Sequence, residues 1–160
     1  MRRSALLIFL PLLVLLSACG GPTDSRQIPE AQAAGDTFAD IGDHVVHFSA
    51  QSTDQLPPAV AKQYNIVRSK NRAMLNVSVL RESDNTPVSA TVTVNTVNLT
   101  GQLKNVTMRK IEEPGDILAI YYIGDTTVAN REVLVFDISV TPEGVDQVSR
   151  VRFKRQFYSD

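Results

Sequence analysis

The sequence predicts a mostly β protein, a single antiparallel β-sandwich of immunoglobulin-like type with one short helix in an insertion. Two observations support this fold class. From residue 43 onward, seven short runs rich in β-branched and aromatic residues recur between turn signals such as Glu-Pro-Gly-Asp and Thr-Pro-Glu-Gly. The length of 160 residues, 43% of them hydrophobic, is typical of one globular domain behind a leader segment. A small barrel has the same strand pattern and stays an open alternative.

The N-terminus predicts an exported, lipid-anchored protein. Arg2 and Arg3 precede an apolar run over 5–16, which is shorter than the roughly 20 residues of a membrane-spanning helix but suits the core of a signal peptide. The run ends in Leu-Ser-Ala-Cys-Gly at residues 16–20, which resembles the bacterial lipobox. That resemblance implies that Cys19 is acylated after cleavage before it. The predicted divisions are a lipoprotein signal peptide at 1–18, a lipidated cysteine and flexible tether at 19–36, and the β-sandwich domain at 37–160.

The anchor also predicts where the protein works. Several acyl chains on Cys19 hold a protein firmly in a membrane. Gly20 follows the cysteine, and by the sorting rule for lipoproteins the absence of Asp there implies the periplasmic side of the outer membrane. Because Cys19 is the only cysteine, no disulfide forms within the chain.

The strands are placed by alternation of apolar and polar residues. In the run at 73–81 this alternation predicts one face with Leu75, Val77 and Val79 and the opposite face with Met74, Asn76 and Ser78. The seven predicted strands span 43–50, 73–81, 88–99, 103–111, 117–123, 131–140 and 148–158. The turn at 84–87 predicts a hairpin between the second and third, and the apolar positions of the third change phase near Asn95 and Thr96, which predicts a bulge. Between the first two strands, the insertion Gln51–Lys70 carries apolar residues four apart and proline at its entry, which predicts a short helix within 56–64.

Six segments of the domain resemble a known family. They lie at 42–50, 56–64, 66–70, 75–79, 98–102 and 153–158, for example Gly-Asp-His-Val-Val-His-Phe-Ser-Ala and Leu-Pro-Pro-Ala-Val-Ala-Lys-Gln-Tyr. Together they resemble a proteobacterial family of exported proteins known as domain of unknown function 4426. The resemblance implies periplasmic placement and a β-sandwich, and it brings no established activity, cofactor or partner.

Few residues invite a catalytic or metal-binding role. His44 and His47 lie three apart on a predicted strand and therefore point to opposite faces. His47 with Met74 or Met108 is a weak candidate for a copper site, and a buried or half-buried, hydrogen-bonded His47 is the favoured interpretation. Paired carboxylates occur in turns, where they are solvated, and no serine lies in a nucleophile motif. We therefore expect no enzyme activity and no cofactor.

Basic residues are the candidates for a partner surface. Arg150, Arg152 and Lys154 share one face of the last strand, where they either meet an anionic partner or, as the favoured interpretation, protect an edge strand. A second basic row, spaced by two, consists of Arg68, Lys70 and Arg72. Removal of Arg2 and Arg3 leaves 14 basic against 17 acidic side chains, a net charge of about −3, so a nucleic-acid partner is not expected.

These observations predict a non-catalytic envelope lipoprotein that acts as a binding or accessory module. Its partners are expected to be the membrane, through the anchor, and an envelope protein. The alternative is a small-ligand or copper carrier in the periplasm.

If Cys19 carries the anchor, cells grown with labelled palmitate will incorporate label into the protein and retain it in the membrane fraction. Cys19→Ala should abolish the label, because no other thiol is present. Ser17→Ala keeps a narrow side chain beside the cleavage site and should leave the label unchanged. An unlabelled, wholly soluble protein with Cys19 intact would contradict the anchor.

Overall fold

The structure, a computed structural model, describes residues 35–116 and 118–160. Cys19, the signal peptide and nearly all of the tether lie outside the described residues, as does residue 117 at the start of one predicted strand. The described strands are β1 (Phe38–Asp40), β2 (His44–Ser52), β3 (Arg72–Arg81), β4 (Ala90–Asn98), β5 (Leu103–Lys104), β6 (Arg109–Glu113), β7 (Ala119–Thr127), β8 (Val133–Pro142) and β9 (Ser149–Gln156). A 3-10 turn (Thr53–Gln55) and helix α1 (Pro58–Gln63) follow β2. No helix in the described part of the chain is long and apolar enough to cross a membrane.

The strands form two antiparallel sheets. Sheet A has the order β1-β2-β3-β7-β6 and sheet B the order β5-β4-β8-β9. In immunoglobulin lettering, β2-β3-β7-β6 corresponds to A-B-E-D and β5-β4-β8-β9 to C′-C-F-G, with β1 as an extra edge strand. The predicted immunoglobulin-like sandwich with one short helix is therefore confirmed.

The core lies between the inner faces of the two sheets. Alternate residues of each strand point inward, as the period of two requires. In β3 and β8 these buried positions are Leu75, Val77, Val79, Leu134, Phe136, Ile138 and Val140. The ring of Phe153 lies between Phe48 of sheet A and Phe136 of sheet B, with centroid distances of 4.8 and 4.9 Å. Three rings from β2, β8 and β9 thus join the two sheets.

The predicted hairpin between the second and third strands forms only beside its turn. There the Arg81 N–H donates to the Thr86 carbonyl, the Val88 N–H donates to the Val79 carbonyl, and Leu80 bridges Pro87. The remainder of the predicted third strand, β4, pairs with β8 and β5 in sheet B. The hairpin stops there because β2 occupies one edge of β3 and β7 occupies the other edge over residues 72–77. The chain therefore crosses to the other sheet.

The predicted bulge in the strand at 88–99 is wrong. The register of β4 with β8 runs without a shift from Ala90 opposite Pro142 to Asn98 opposite Leu134. Thr96 occupies an inward position, fully buried and with its hydroxyl unpaired. Val97 consequently points outward, so the phase change in the sequence reflects a threonine in the core and not an inserted residue.

The insertion packs on the outer face of sheet A. The predicted helix is present, although shorter than expected. A small second core contains Leu56, Ala61 and Met74, with Ile66 packed against it. Thr53 is fully buried and holds the end of the insertion in place. Its hydroxyl donates a hydrogen bond to the Val67 carbonyl at 2.8 Å and accepts one from the Ser69 N–H. The insertion therefore covers one end of this face.

Tyr122 joins the sheets at the crossover into β4. Its hydroxyl accepts a hydrogen bond from the Ala90 N–H at 2.6 Å, and the side chain is buried. Tyr122→Phe leaves this N–H without a partner and should lower the free energy of unfolding by about 1–3 kcal/mol, measured by denaturant titration. Tyr158→Phe, at an exposed hydroxyl, is the matched control and should have a smaller effect. Equal effects would contradict this role.

Candidate functional site

The structure separates the three weak metal candidates. His47 is exposed on the outer face of sheet A, and its side chain has no hydrogen-bond partner among the described residues. The expectation of a buried or half-buried, hydrogen-bonded histidine is therefore wrong. The cross-strand partner of His47 is Ser78. Ser78 lies four residues from Met74 on β3, so the two backbone positions are about 13 Å apart along the strand. Met74 is itself buried in the second core.

Met108 lies on the other side of sheet A. It packs against the main core, where a Cβ added to Gly124 would lie 2.9 Å from its sulfur. Met74 and Met108 therefore lie on opposite faces of sheet A. Within 35–116 and 118–160, no group of three or more His, Cys, Asp or Glu side chains could hold a metal ion.

The second basic row is used inside the fold. Arg68 donates a hydrogen bond to the Asp54 carbonyl at 2.7 Å, and Lys70 donates to the Asp160 carbonyl at 2.9 Å. The first interaction joins the two ends of the insertion, and the second links its last residue to the C-terminal residue. Arg68 and Lys70 are thus not brought together with the cations of the last strand into one surface.

The cations of the last strand lie on the outer face of sheet B. β9 is an edge strand, and Arg150, Arg152 and Lys154 are all exposed. Arg152 forms a two-pronged ion pair with Asp137 on β8, and its hydrogen bonds to this carboxylate raise the pKa of the guanidinium above its usual value. Arg150 and Lys154 have no acidic partner in the described part of the chain.

An apolar row crosses the same outer face. Leu103, Val97 and Val135 are cross-strand neighbours on β5, β4 and β8, and Lys154 continues the row on β9. Leu103 is 70% exposed and the nearby Leu99 is 71% exposed. Sequence reasoning missed this row because it assigned the outward positions of β4 to a bulge. No signal in the sequence could have revealed it, because the apolar positions do change phase and only the register of β4 with β8 shows that the strand is regular.

A polar depression lies on the outer face of sheet A. It is lined by Thr37, His47, Phe48, Ser49, Asn76 and Ser78. The side-chain oxygen of Asn76 is buried and has no hydrogen-bond partner among the described residues. Phe38 is exposed beside the depression, with its ring centroid 6.2 Å from that of His47. The sequence predicted the common face of Asn76 and Ser78, but no local pattern indicated that β1 and β2 would complete the depression.

Glu132 has the most complete set of ionic contacts in the described residues. It lies between β7 and β8, where its carboxylate accepts hydrogen bonds from Lys104 on β5, from Asn98 at the end of β4, and from the Ala129 N–H. Burial alone raises the pKa of this carboxyl, but the three donors and the Lys104 charge outweigh it and hold the pKa below its usual value. All its partners belong to the fold, which indicates a structural role.

Comparisons with known proteins give one family. The family model described as "Domain of unknown function (DUF4426)" matches residues 38–160. The crystal structure of a DUF4426 family protein from Pseudomonas aeruginosa is similar, with 31% sequence identity, a TM-score of 0.66, and coverage of 77% of this chain and 94% of that chain. A family 123 glycoside hydrolase from Clostridium perfringens matches at a TM-score of 0.36 and 10% identity, covering 70% of this chain and 27% of that one. A likeness that distant supports neither a fold nor an activity. No curated protein matches the sequence.

The lowered pKa of Glu132 predicts a pH-dependent stability. A carboxyl whose pKa is lower in the folded than in the unfolded state stabilises the protein above its unfolded pKa, and this stabilisation is lost as the pH falls through the folded pKa. Glu132→Gln should cost about 1–3 kcal/mol of unfolding free energy at neutral pH, and the difference from wild type should narrow below about pH 4.5. Denaturant titrations across this range measure both. The exposed Glu82→Gln is the matched control at neutral pH and should change stability little. A cost that stays constant with pH would contradict the ionic role of Glu132.

Proposed function

The chain belongs to the DUF4426 family, a domain of unknown function, and on that premise we propose that it is a non-catalytic binding module of the bacterial envelope, anchored by a lipidated Cys19 on the periplasmic side of the outer membrane. The lipobox-like segment at 16–20 and the short apolar run before it support the anchor. The partner is a protein that adds an acidic, extended segment to the edge of sheet B.

The proposal rests on the open edge of β9. β9 has eight residues and pairs with β8 without a bulge, and its other edge faces no strand among the described residues. The other edge strands, β1, β5 and β6, have three, two and five residues. Long regular edges present unpaired backbone groups that can pair with a further strand. β9 is therefore the strand best suited to receive a partner.

The cations of β9 define the chemistry of that partner. Arg150 and Lys154 are exposed without an acidic neighbour in the described residues, whereas Arg152 is already paired with Asp137. Two β9 edges brought together would set cation against cation, so the same residues discourage self-association through this strand. An acidic strand would meet complementary charge. Edge protection and partner selection are thus two consequences of one arrangement.

The exposed leucine of the apolar row lies away from β9. Leu103 is on β5, at the opposite edge of sheet B, and Val135 on β8 is the apolar neighbour of Lys154. A strand added to β9 therefore meets the cations first, which again favours an acidic partner. A copper carrier built on His47 has less support, since Met74 and Met108 lie on opposite faces of sheet A.

Crosslinking in intact cells tests the proposal. A photoreactive residue at Arg155, which is exposed on β9 and leaves the three outer cations in place, should form an adduct with an envelope protein through an acidic segment. Lys154→Glu or Arg150→Glu should each lower the adduct yield by about fivefold, which corresponds to about 1 kcal/mol for one surface charge contact. High salt should also lower it.

Two matched controls accompany this experiment. Lys62→Glu, an identical charge change on the exposed side of α1, should leave the yield unchanged, and the photoreactive residue placed at Lys62 should not form the same adduct. If the β9 position forms no adduct, or if Lys62→Glu reduces the yield as much as Lys154→Glu, the β9 edge is not the contact.

A further inference from the structure

β6 forms one edge of sheet A. It pairs with β7 on one side, and its other side faces no strand among the described residues. Four of its five residues are charged, and the strand reads Arg109, Lys110, Ile111, Glu112 and Glu113. Charged residues on an edge strand ordinarily oppose pairing with another strand. The order of these charges decides which strands they oppose and which strand they accept.

The charges of β6 are arranged symmetrically about Ile111, with two cations before it and two anions after it. A second copy of β6 can be laid antiparallel along the first, with the two Ile111 residues opposite each other. Lys110 then lies opposite Glu112 of the second copy, and Arg109 lies opposite its Glu113. Each contact occurs twice, because the arrangement has a two-fold axis. Four opposite-charge pairs therefore form, and no like charges lie directly opposite each other.

The paired charges project from both faces of the sheet. Lys110 and Glu112 share the parity of the inner face, since Lys110 lies opposite the buried Tyr122 of β7. Arg109 and Glu113 share the opposite parity. Directly opposite residues of an antiparallel pair project from the same face, with Cβ atoms about 4.5–5.5 Å apart, which is within reach of long charged side chains. Each face of the joined strands therefore gains two ion pairs.

Lys110 and Glu112 are already held near each other within one chain. The ammonium group of Lys110 lies 2.6 Å from the Glu112 carboxylate and donates a hydrogen bond to the Ser89 hydroxyl at 2.8 Å. The hydrogen bond to Glu112 raises the pKa of Lys110, so this side chain is charged at neutral pH. Both side chains are still exposed. Two such pairs on either side of a two-fold axis form a closed network, in which each cation contacts anions of both chains.

β9 has the opposite property. It carries four cations and no anion, so two copies of β9 would bring cations together without any compensating charge. The two open edges therefore favour different partners, an acidic strand at β9 and an identical strand at β6. Because β6 and β9 belong to different sheets, a copy bound at β6 leaves the edge of β9 open.

We propose that two copies of this protein associate through β6, antiparallel about Ile111, so that their five-stranded sheets A join into one continuous sheet. Backbone hydrogen bonds join the two edges, and the four ion pairs select the partner and fix the register. This association requires neither the lipid anchor nor the acidic partner of β9. A five-residue strand buries little surface, so the dimer is a transient one that forms at high protein concentration.

Thiol crosslinking of the purified full-length protein tests the register. Ile111 lies opposite its own copy, so Ile111→Cys should give a covalent dimer with a short bismaleimide, in detergent with micelles in excess over protein. The unchanged protein, whose only cysteine is Cys19, measures any link through that residue. Asp40→Cys, at an exposed position on β1 at the other edge of sheet A, is the matched control and should link far less. A dimer yield for Ile111→Cys no higher than for Asp40→Cys would overturn the proposal.

Charge reversals in the Ile111→Cys protein test the ion pairs. Lys110→Glu and Glu112→Lys each turn two attractive pairs of the dimer into repulsive ones, so each should lower the dimer yield by about tenfold. Both changes affect exposed side chains and should alter the melting temperature little. When the two variants are mixed, their strands are complementary, and the crosslink should return as a heterodimer, detected by a size tag on one chain.

The mixture separates contact between chains from a structural role within one chain. Each single variant has lost its own Lys110–Glu112 pair, and mixing restores opposite charges only across a dimer. Arg109→Glu and Glu113→Arg repeat the same test on the other face of the strand. Full dimer yield in the single variants, or no heterodimer in either mixture, would overturn the proposal.

Discussion

Apolar contact between the inner faces of the two sheets is the interaction on which the rest of this structure depends. Immunoglobulin domains of antibodies add a disulfide between the sheets, but the only cysteine of this chain, Cys19, has no second thiol to pair with. The sheets are therefore joined by side-chain packing, with Phe153 between Phe48 and Phe136, and by the hydrogen bond from the Ala90 N–H to Tyr122. Because this contact uses one face of every central strand, it also decides which residues remain on the outside.

The two outer faces differ because the insertion covers only one of them. On sheet A, the second core around Met74 occupies one end of the face and leaves the polar depression at the other. On sheet B no described segment packs over the outer face, and the apolar row from Leu103 to Val135 stays accessible beside the cations of β9. The two surfaces offer different chemistry, hydroxyl and amide groups on sheet A and cations with aliphatic groups on sheet B.

The likeness to the Pseudomonas aeruginosa family member concerns the fold. A shared sandwich does not by itself define an activity, since function resides in the particular side chains that a fold presents. For this chain, the proposed partner edge contributes Arg150 and Lys154. Polar clusters such as Glu132 with Lys104 and Asn98 differ in kind, because every donor and acceptor in them is satisfied within the fold.

The sequence by itself determined the features that depend on local periodicity. Alternation predicted the buried face of β3, the outward face of Arg150, Arg152 and Lys154, and the position of α1, because the direction of a side chain depends only on its parity along a strand or its spacing along a helix. Tertiary structure decided what local pattern cannot encode. Whether β4 joins β3 or crosses to sheet B depended on whether an edge of β3 was still open, and that was settled by β2 and β7, far away in the chain. The burial of Thr96, the separation of Met74 from Met108, and the meeting of Phe38, His47 and Asn76 likewise follow from pairing between distant strands, which no window of consecutive residues contains.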